Sequence, residues 1–169
     1  SLVSTNSYIF NGTILDNLLM GKSDATKSEI KDALVKARLD EFVASLSNGL
    51  DTNVGEGGSA LSGGQKQRLA LARAILGDRE MIIFDEATSN IDVESEESIW
   101  EAIYELSKDK TVLVISHRLA NVTKADNIYV MKSGRVVESG THDELYENNG
   151  EYYNMVNRQK QLENAREVC

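Results

Sequence analysis

The sequence predicts an α/β fold built on a parallel sheet, and three observations carry that expectation. Met81-Ile82-Ile83-Phe84 is a short unbroken apolar run that ends in Asp85-Glu86. Thr111-Val112-Leu113-Val114-Ile115 is a second, ending in Ser116-His117. Between them Ile99, Ile103 and Leu106 fall on one face of an expected crossover helix over residues 93–106. Continuous runs of this length suit parallel strands buried on both faces. Both runs finish in polar residues, and the carboxyl ends of strands are where open α/β sheets bind ligands.

The remaining elements follow along the chain. Leu2-Val3 has the character of a strand end. Ser23-Asp24-Ala25-Thr26 is a polar break suited to capping a helix, and from Ser28 onward Ile30, Leu34, Val35 and Ala37 recur at helical spacing. A second short helix is expected over residues 40–46, a Gly-rich loop over 48–59, and a helix from near Gly64 to about Leu76. Residues 128–131, then Lys132-Ser133-Gly134-Arg135, then Val136-Val137 predict a hairpin. Residues 142–160 are expected to be helical. With no proline anywhere, turns and helix ends must rely on Gly, Asn, Asp and Ser.

Composition narrows the function classes. A chain of 169 residues is long enough for one domain with a real core. No apolar run approaches the roughly 18–20 residues that span a bilayer. The formal net charge of -9, from 27 acidic and 18 basic residues, argues against general nucleic-acid binding, which depends on Lys and Arg neutralising phosphates. The single Cys169 cannot form an intrachain disulfide and points to a reducing compartment.

Chemistry concentrates in a few motifs. Leu61-Ser62-Gly63-Gly64-Gln65 opens a predicted helix. Paired glycines let backbone amides approach a ligand, and a helix N-terminus favours an anion; the alternative is a flexible glycine turn capped by serine. Asp85, ending a buried strand, suits Mg²⁺, a hard cation that takes oxygen ligands and keeps waters. Glu86 beside it could orient or deprotonate a water; the alternative is a solvated carboxylate pair. Ser89-Asn90-Ile91-Asp92 follows, and His117 ends the next strand. Consecutive strands often neighbour each other, which would set His117 beside the carboxylates; a lone histidine at a strand end is otherwise structural.

This order of motifs resembles the ATP-binding domain of ABC transporters over essentially the whole chain. Leu61 to Gln65 is similar to that family's signature motif, Met81 to Glu86 to its Walker B strand, Ser89 to Asp92 to its D-loop and His117 to its switch histidine. The resemblance implies a partial P-loop NTPase (RecA-like) parallel sheet with an α-helical subdomain. Residues 13–76 would form that subdomain, and 77–169 the rest of the core sheet with the C-terminal helices. It implies ATP and Mg as cofactors, with Asp85 holding Mg through water, Glu86 acting on the attacking water and His117 contacting the γ-phosphate. Ser62, Gly63, Gly64 and Gln65 would bind nucleotide held by a second ATPase domain, in a homo- or heterodimer, and Asp92 would link the two sites. The segments Phe10-Asn11-Gly12-Thr13-Ile14 with Asp16-Asn17, and Val54-Gly55-Glu56-Gly57-Gly58, resemble the exporter subtype, the latter being similar to the X-loop that touches the transmembrane domain. That implies a place on the cytoplasmic face of the cell membrane and ATP hydrolysis coupled to transport.

Two departures stand out. No phosphate-binding P-loop occurs: Gly21-Lys22-Ser23 lacks the glycine that must come five residues earlier, where Asp16 stands. The P-loop is expected before residue 1, its strand lying between those of 111–115 and 128–131. The fragment alone is therefore expected to be inactive, and either to close the hairpin onto the 111–115 strand or to cover the open edge with another copy. The second departure is Thr5, which stands where the family usually has the Q-loop glutamine. It suggests a variant site, as in an asymmetric heterodimer. The competing expectation is a non-enzymatic module that only lends its signature face to a partner; the retained Glu86 speaks against it.

Overall fold

A computed structural model describes residues 1–5, 7–88 and 93–167, with side chains described except at 93–95 and 163–167. The chain forms two compact units, Ser1–Ile115 and Ser116–Cys169.

The first unit is built on three parallel strands, β1 (Leu2–Ser4), β2 (Met81–Asp85) and β3 (Thr111–Ile115), in the order β1-β2-β3. Helix α5 (Val93–Ser107) makes the crossover from β2 to β3. Between β1 and β2 come α1 (Ile14–Leu19), α2 (Lys27–Lys36), α3 (Asp40–Ser45) and α4 (Gly63–Leu76). Threonines 13 and 26 cap α1 and α2 through reciprocal boxes with Asp16 and Glu29, which satisfy amides that a helix end otherwise leaves open. The core joins Val3, Ile82 and Phe84 of the sheet to Leu69 and Leu71 of α4 and to Ile99 and Ile103 of α5.

One expectation about this sheet fails. The strands are covered on one face only. The register aligns Leu2, Ile83 and Leu113, and likewise Ser4, Asp85 and Ile115, on the opposite face. There Leu2, Met81, Leu113 and Ile115 are exposed by 45% or more. All the covering helices lie on the face of Val3, Ile82 and Phe84, so alternate residues of each apolar run remain open among the described residues.

The second unit holds an antiparallel hairpin, β4 (Ile128–Lys132) and β5 (Arg135–Gly140), then α6 (His142–Glu147) and α7 (Glu151–Glu167). The hairpin turns at Ser133 and Gly134, both at positive φ, the conformation that a tight two-residue turn requires. The expected single helix over 142–160 is broken in two. Asn149 adopts φ 53°, which ends α6, and Glu138 of β5 accepts hydrogen bonds from the amides of Glu151 and Tyr152 at 2.6 and 2.9 Å, starting α7 afresh. Val130, Leu119, Leu145, Tyr152 and Val156 form this unit's own core.

Among the described residues β4 pairs with β5 in a two-stranded sheet of its own, and Val130 packs into the second unit's core.

Candidate functional site

The signature segment sits at the start of α4. Ser62 is the N-cap, its hydroxyl accepting from the Gln65 amide at 3.2 Å, while the Gln65 side-chain carbonyl accepts from the Ser62 amide at 2.9 Å. Gln65 is thus turned back onto the helix as a cap. The box consumes the third helical amide. The amides of Gly63 and Gly64 are the first two of the helix, which no helix satisfies internally. Together with the helix dipole they make an end that favours an anion. Ser62 and Gly63 are exposed and Gly64 is buried.

Asp85 ends β2, and Glu86 follows in the left-handed region at φ 50°. For a residue with a Cβ this costs roughly 1–2 kcal/mol and persists only where the surroundings determine it. Here both backbone groups of Glu86 are held. Its amide donates to the Ile115 carbonyl at 3.0 Å, and its carbonyl accepts from the Thr5 hydroxyl at 2.7 Å. Beyond it, Thr88 donates to the buried Glu96 at 3.1 Å, tying the segment to α5.

Thr5 follows β1, so strand pairing carries the expected Q-loop position to the Walker B strand. Asp92 lies outside the described residues. The expected neighbourhood of the 81–85 and 111–115 strands is found, with Asp85 opposite Ile115. His117 comes just after β3 in sequence, is exposed, and belongs to the second unit.

Among the described residues no cluster of three or more His, Cys, Asp or Glu could hold a metal ion. Asp85 offers one carboxylate at a half-exposed strand end. That suits Mg²⁺ held mainly by water and phosphate oxygens rather than by a protein cage.

The two segments that resemble the exporter subtype meet in the structure. Val54, fully buried, donates its amide to the Gly12 carbonyl at 2.8 Å, and Ile14 donates to Thr52 at 3.0 Å. Gly58 stands at φ +69°, and a Cβ there would press on Ile9 at 3.1 Å, so the loop's course needs a glycine.

Three side chains support this region through contacts that sequence reasoning did not foresee. Asn17 is fully buried and bonds both the amide and the carbonyl of Phe10 at 2.9 Å. Gln67, on α4, donates to the Ser4 carbonyl at 3.2 Å. Arg73 donates to the Tyr8 carbonyl at 3.0 Å and lies 5.8 Å from the Phe10 ring centre, and burial lowers its pKa. The signal for Gln67 was available: it stands on the same helical stripe as Gly64 and Leu71, where an apolar residue is expected.

The family described as ABC transporter matches residues 2–89, and the chain belongs to it. The chain is 52% identical over 169 residues, its whole length, to an uncharacterized ABC transporter ATP-binding protein of Haemophilus influenzae, spanning 30% of that protein. It is 50% identical over 153 residues to an ATP-dependent lipid A-core flippase of Vibrio vulnificus, covering 90% of this chain and 26% of the flippase. Its fold matches the structure of a bacterial Atm1-family ABC exporter with ATP bound at a TM-score of 0.87 and 37% identity, over 94% of this chain and 28% of the exporter. The chain thus spans less than a third of the length of these relatives. Among the described residues no helix is long and apolar enough to cross a membrane.

Proposed function

We propose that this chain is part of the ATP-hydrolysing domain of an exporter-type ABC transporter, and that the longer protein couples ATP hydrolysis to transport from the cytoplasmic face of a membrane. What supports the reading most is the pairing, in a member of this family, of Asp85 and Glu86 at the carboxyl end of β2, with Glu86 held in a costly backbone conformation. Asp85 would bind Mg²⁺ through water, and Glu86 would orient or deprotonate the water that attacks the γ-phosphate. His117 would contact that phosphate. Ser62, Gly63 and Gly64 would contact nucleotide across a dimer of ATPase domains, Gln65 would shape that helix end, and Asp92 would lie at the dimer interface. The exposed loop at Glu56 would face the transmembrane domain. The phosphate cradle, absent from these residues, would come from elsewhere in the longer protein. Residues 13–76 would act as the helical subdomain and 77–169 as the remainder of the core.

In the longer protein, with turnover resolved site by site, Glu86→Gln should slow hydrolysis by about 10²–10⁴-fold while ATP binding persists. The 169-residue chain alone should hydrolyse ATP no faster than its own Glu86→Gln variant. A loss smaller than about tenfold at that site would remove Glu86 from the central role and favour a module that only lends its signature face.

A further inference from the structure

We infer that Thr5 is a positioning residue, whose hydroxyl, donated to the Glu86 carbonyl, holds Glu86 in the left-handed turn that aims its carboxylate. The inference rests on the proposed role of Glu86. It concerns a position where this chain departs from the family's glutamine, and it assigns the replacement a different task from a metal or water contact.

The geometry is specific to a short side chain. The Thr5 amide donates to the Asp85 carbonyl at 3.3 Å and the Thr5 hydroxyl to the Glu86 carbonyl at 2.7 Å. One residue therefore grips two consecutive carbonyls just where β2 turns out of the sheet. A glutamine amide stands two bonds farther from the backbone and would reach past the Glu86 carbonyl. Thr5 is itself held in place. Ser4 pairs with Asp85, its amide donates to Ser7 Oγ at 2.9 Å, and its carbonyl accepts from the Gln67 side chain of α4 at 3.2 Å. On the other side, the Glu86 amide is bound by Ile115 at 3.0 Å. With the amide anchored by β3 and the carbonyl by Thr5, the peptide planes on both sides of the Glu86 Cα are constrained. Those planes set the direction in which its side chain leaves the backbone. A left-handed residue persists only where its surroundings hold it, so the bond from Thr5 bears on that turn.

The test uses the longer protein that carries these residues, with single-site turnover and ATP binding measured for Thr5→Val, Thr5→Ala and Thr5→Ser. Loss of one hydrogen bond of about 1 kcal/mol corresponds to roughly a fivefold change. Thr5→Val and Thr5→Ala should both lower kcat about fivefold or more, with KM for ATP within about twofold, and Thr5→Ser should recover most of the rate. A purely structural role would not divide the effect between kcat and KM in this way, nor be rescued by a hydroxyl. Parental kcat in Thr5→Val or Thr5→Ala, a Thr5→Ser as slow as Thr5→Val, or a loss confined to KM would overturn the inference. Glu86→Gln measured alongside separates the two levels. If it is inactive while Thr5→Val is parental, only the positioning role fails; if it is itself parental, the proposed function fails.

Discussion

Val3, Ile82 and Phe84 point to one face of the three-stranded sheet and are exposed by 1%, 0% and 1%; Leu2, Met81, Leu113 and Ile115 point to the other and are exposed by 63%, 47%, 45% and 48%. The two sets alternate along the same strands and share the same apolar chemistry. What differs is the neighbour. Helices α4 and α5 contribute Leu69, Leu71, Ile99 and Ile103 to one side, and no described residue closes the other. An apolar run therefore reports a demand for burial, not which part of a protein meets it. The open face, with an edge of β3 that no described strand pairs, is the kind of surface that templates association with further chain.

The largest effect should separate the two faces. Phe84→Ala should destabilise the chain by about 3–5 kcal/mol, as for a buried aromatic truncated in a core. Leu113→Ala, on the open face, should cost under about 1 kcal/mol. Urea unfolding of both variants checks this. Comparable losses would mean that the open face is covered in solution, as it would be by a second copy, and a concentration-dependent midpoint would then identify that copy.

A smaller effect tests the end of α4. Ser62→Ala removes the hydroxyl that accepts from Gln65 and should cost about 1 kcal/mol in thermal or urea unfolding. If stability is unchanged, the box is not formed and the Gln65 side chain is free for another role.

The smallest effect concerns pH in the helical part. The Lys22 ammonium, followed by the Thr26 amide and hydroxyl, lowers the Glu29 carboxyl from its ordinary 4.5 to about 2. A carboxylate whose pKa is lowered on folding adds stability that is complete above its unfolded value. That stability is lost as pH falls through the folded one, so the window runs from about 4.5 down to about 2. Thr13 lowers Asp16 in the same direction by the same kind of cap. Glu29→Gln should therefore lower the melting temperature slightly at pH 7 and narrow the gap between pH 7 and pH 3, because the side chain is solvent-exposed and screened. An unchanged gap would show that the cap does not govern the acid response.

Much of the architecture was legible in local sequence. The strands at Met81–Asp85 and Thr111–Ile115, the helix opened by Ser62, and the hairpin turn at Ser133-Gly134 all follow from apolar periodicity, capping chemistry and turn residues, which act over a few neighbours. The Asn148-Asn149-Gly150 break between α6 and α7 was equally local, but the helical spacing around it masked it. The motif order from Leu61 through His117 also placed the chain in its family, because each motif is a short run of residue types with its own chemistry.

Other features depended on residues far apart in sequence. That Thr5 would bond to Glu86, that Gln67 would reach Ser4, and that the segment near Gly12 would meet Val54 all depend on how elements distant in sequence pack together. The one-sided burial of the sheet is of the same kind. Amino-acid type determined which residues need cover, which turns are allowed and which groups can bind an anion. Tertiary structure alone decided which distant partner satisfies each group, because a hydrogen bond or a packed face depends on positions in space that no short stretch of chain contains.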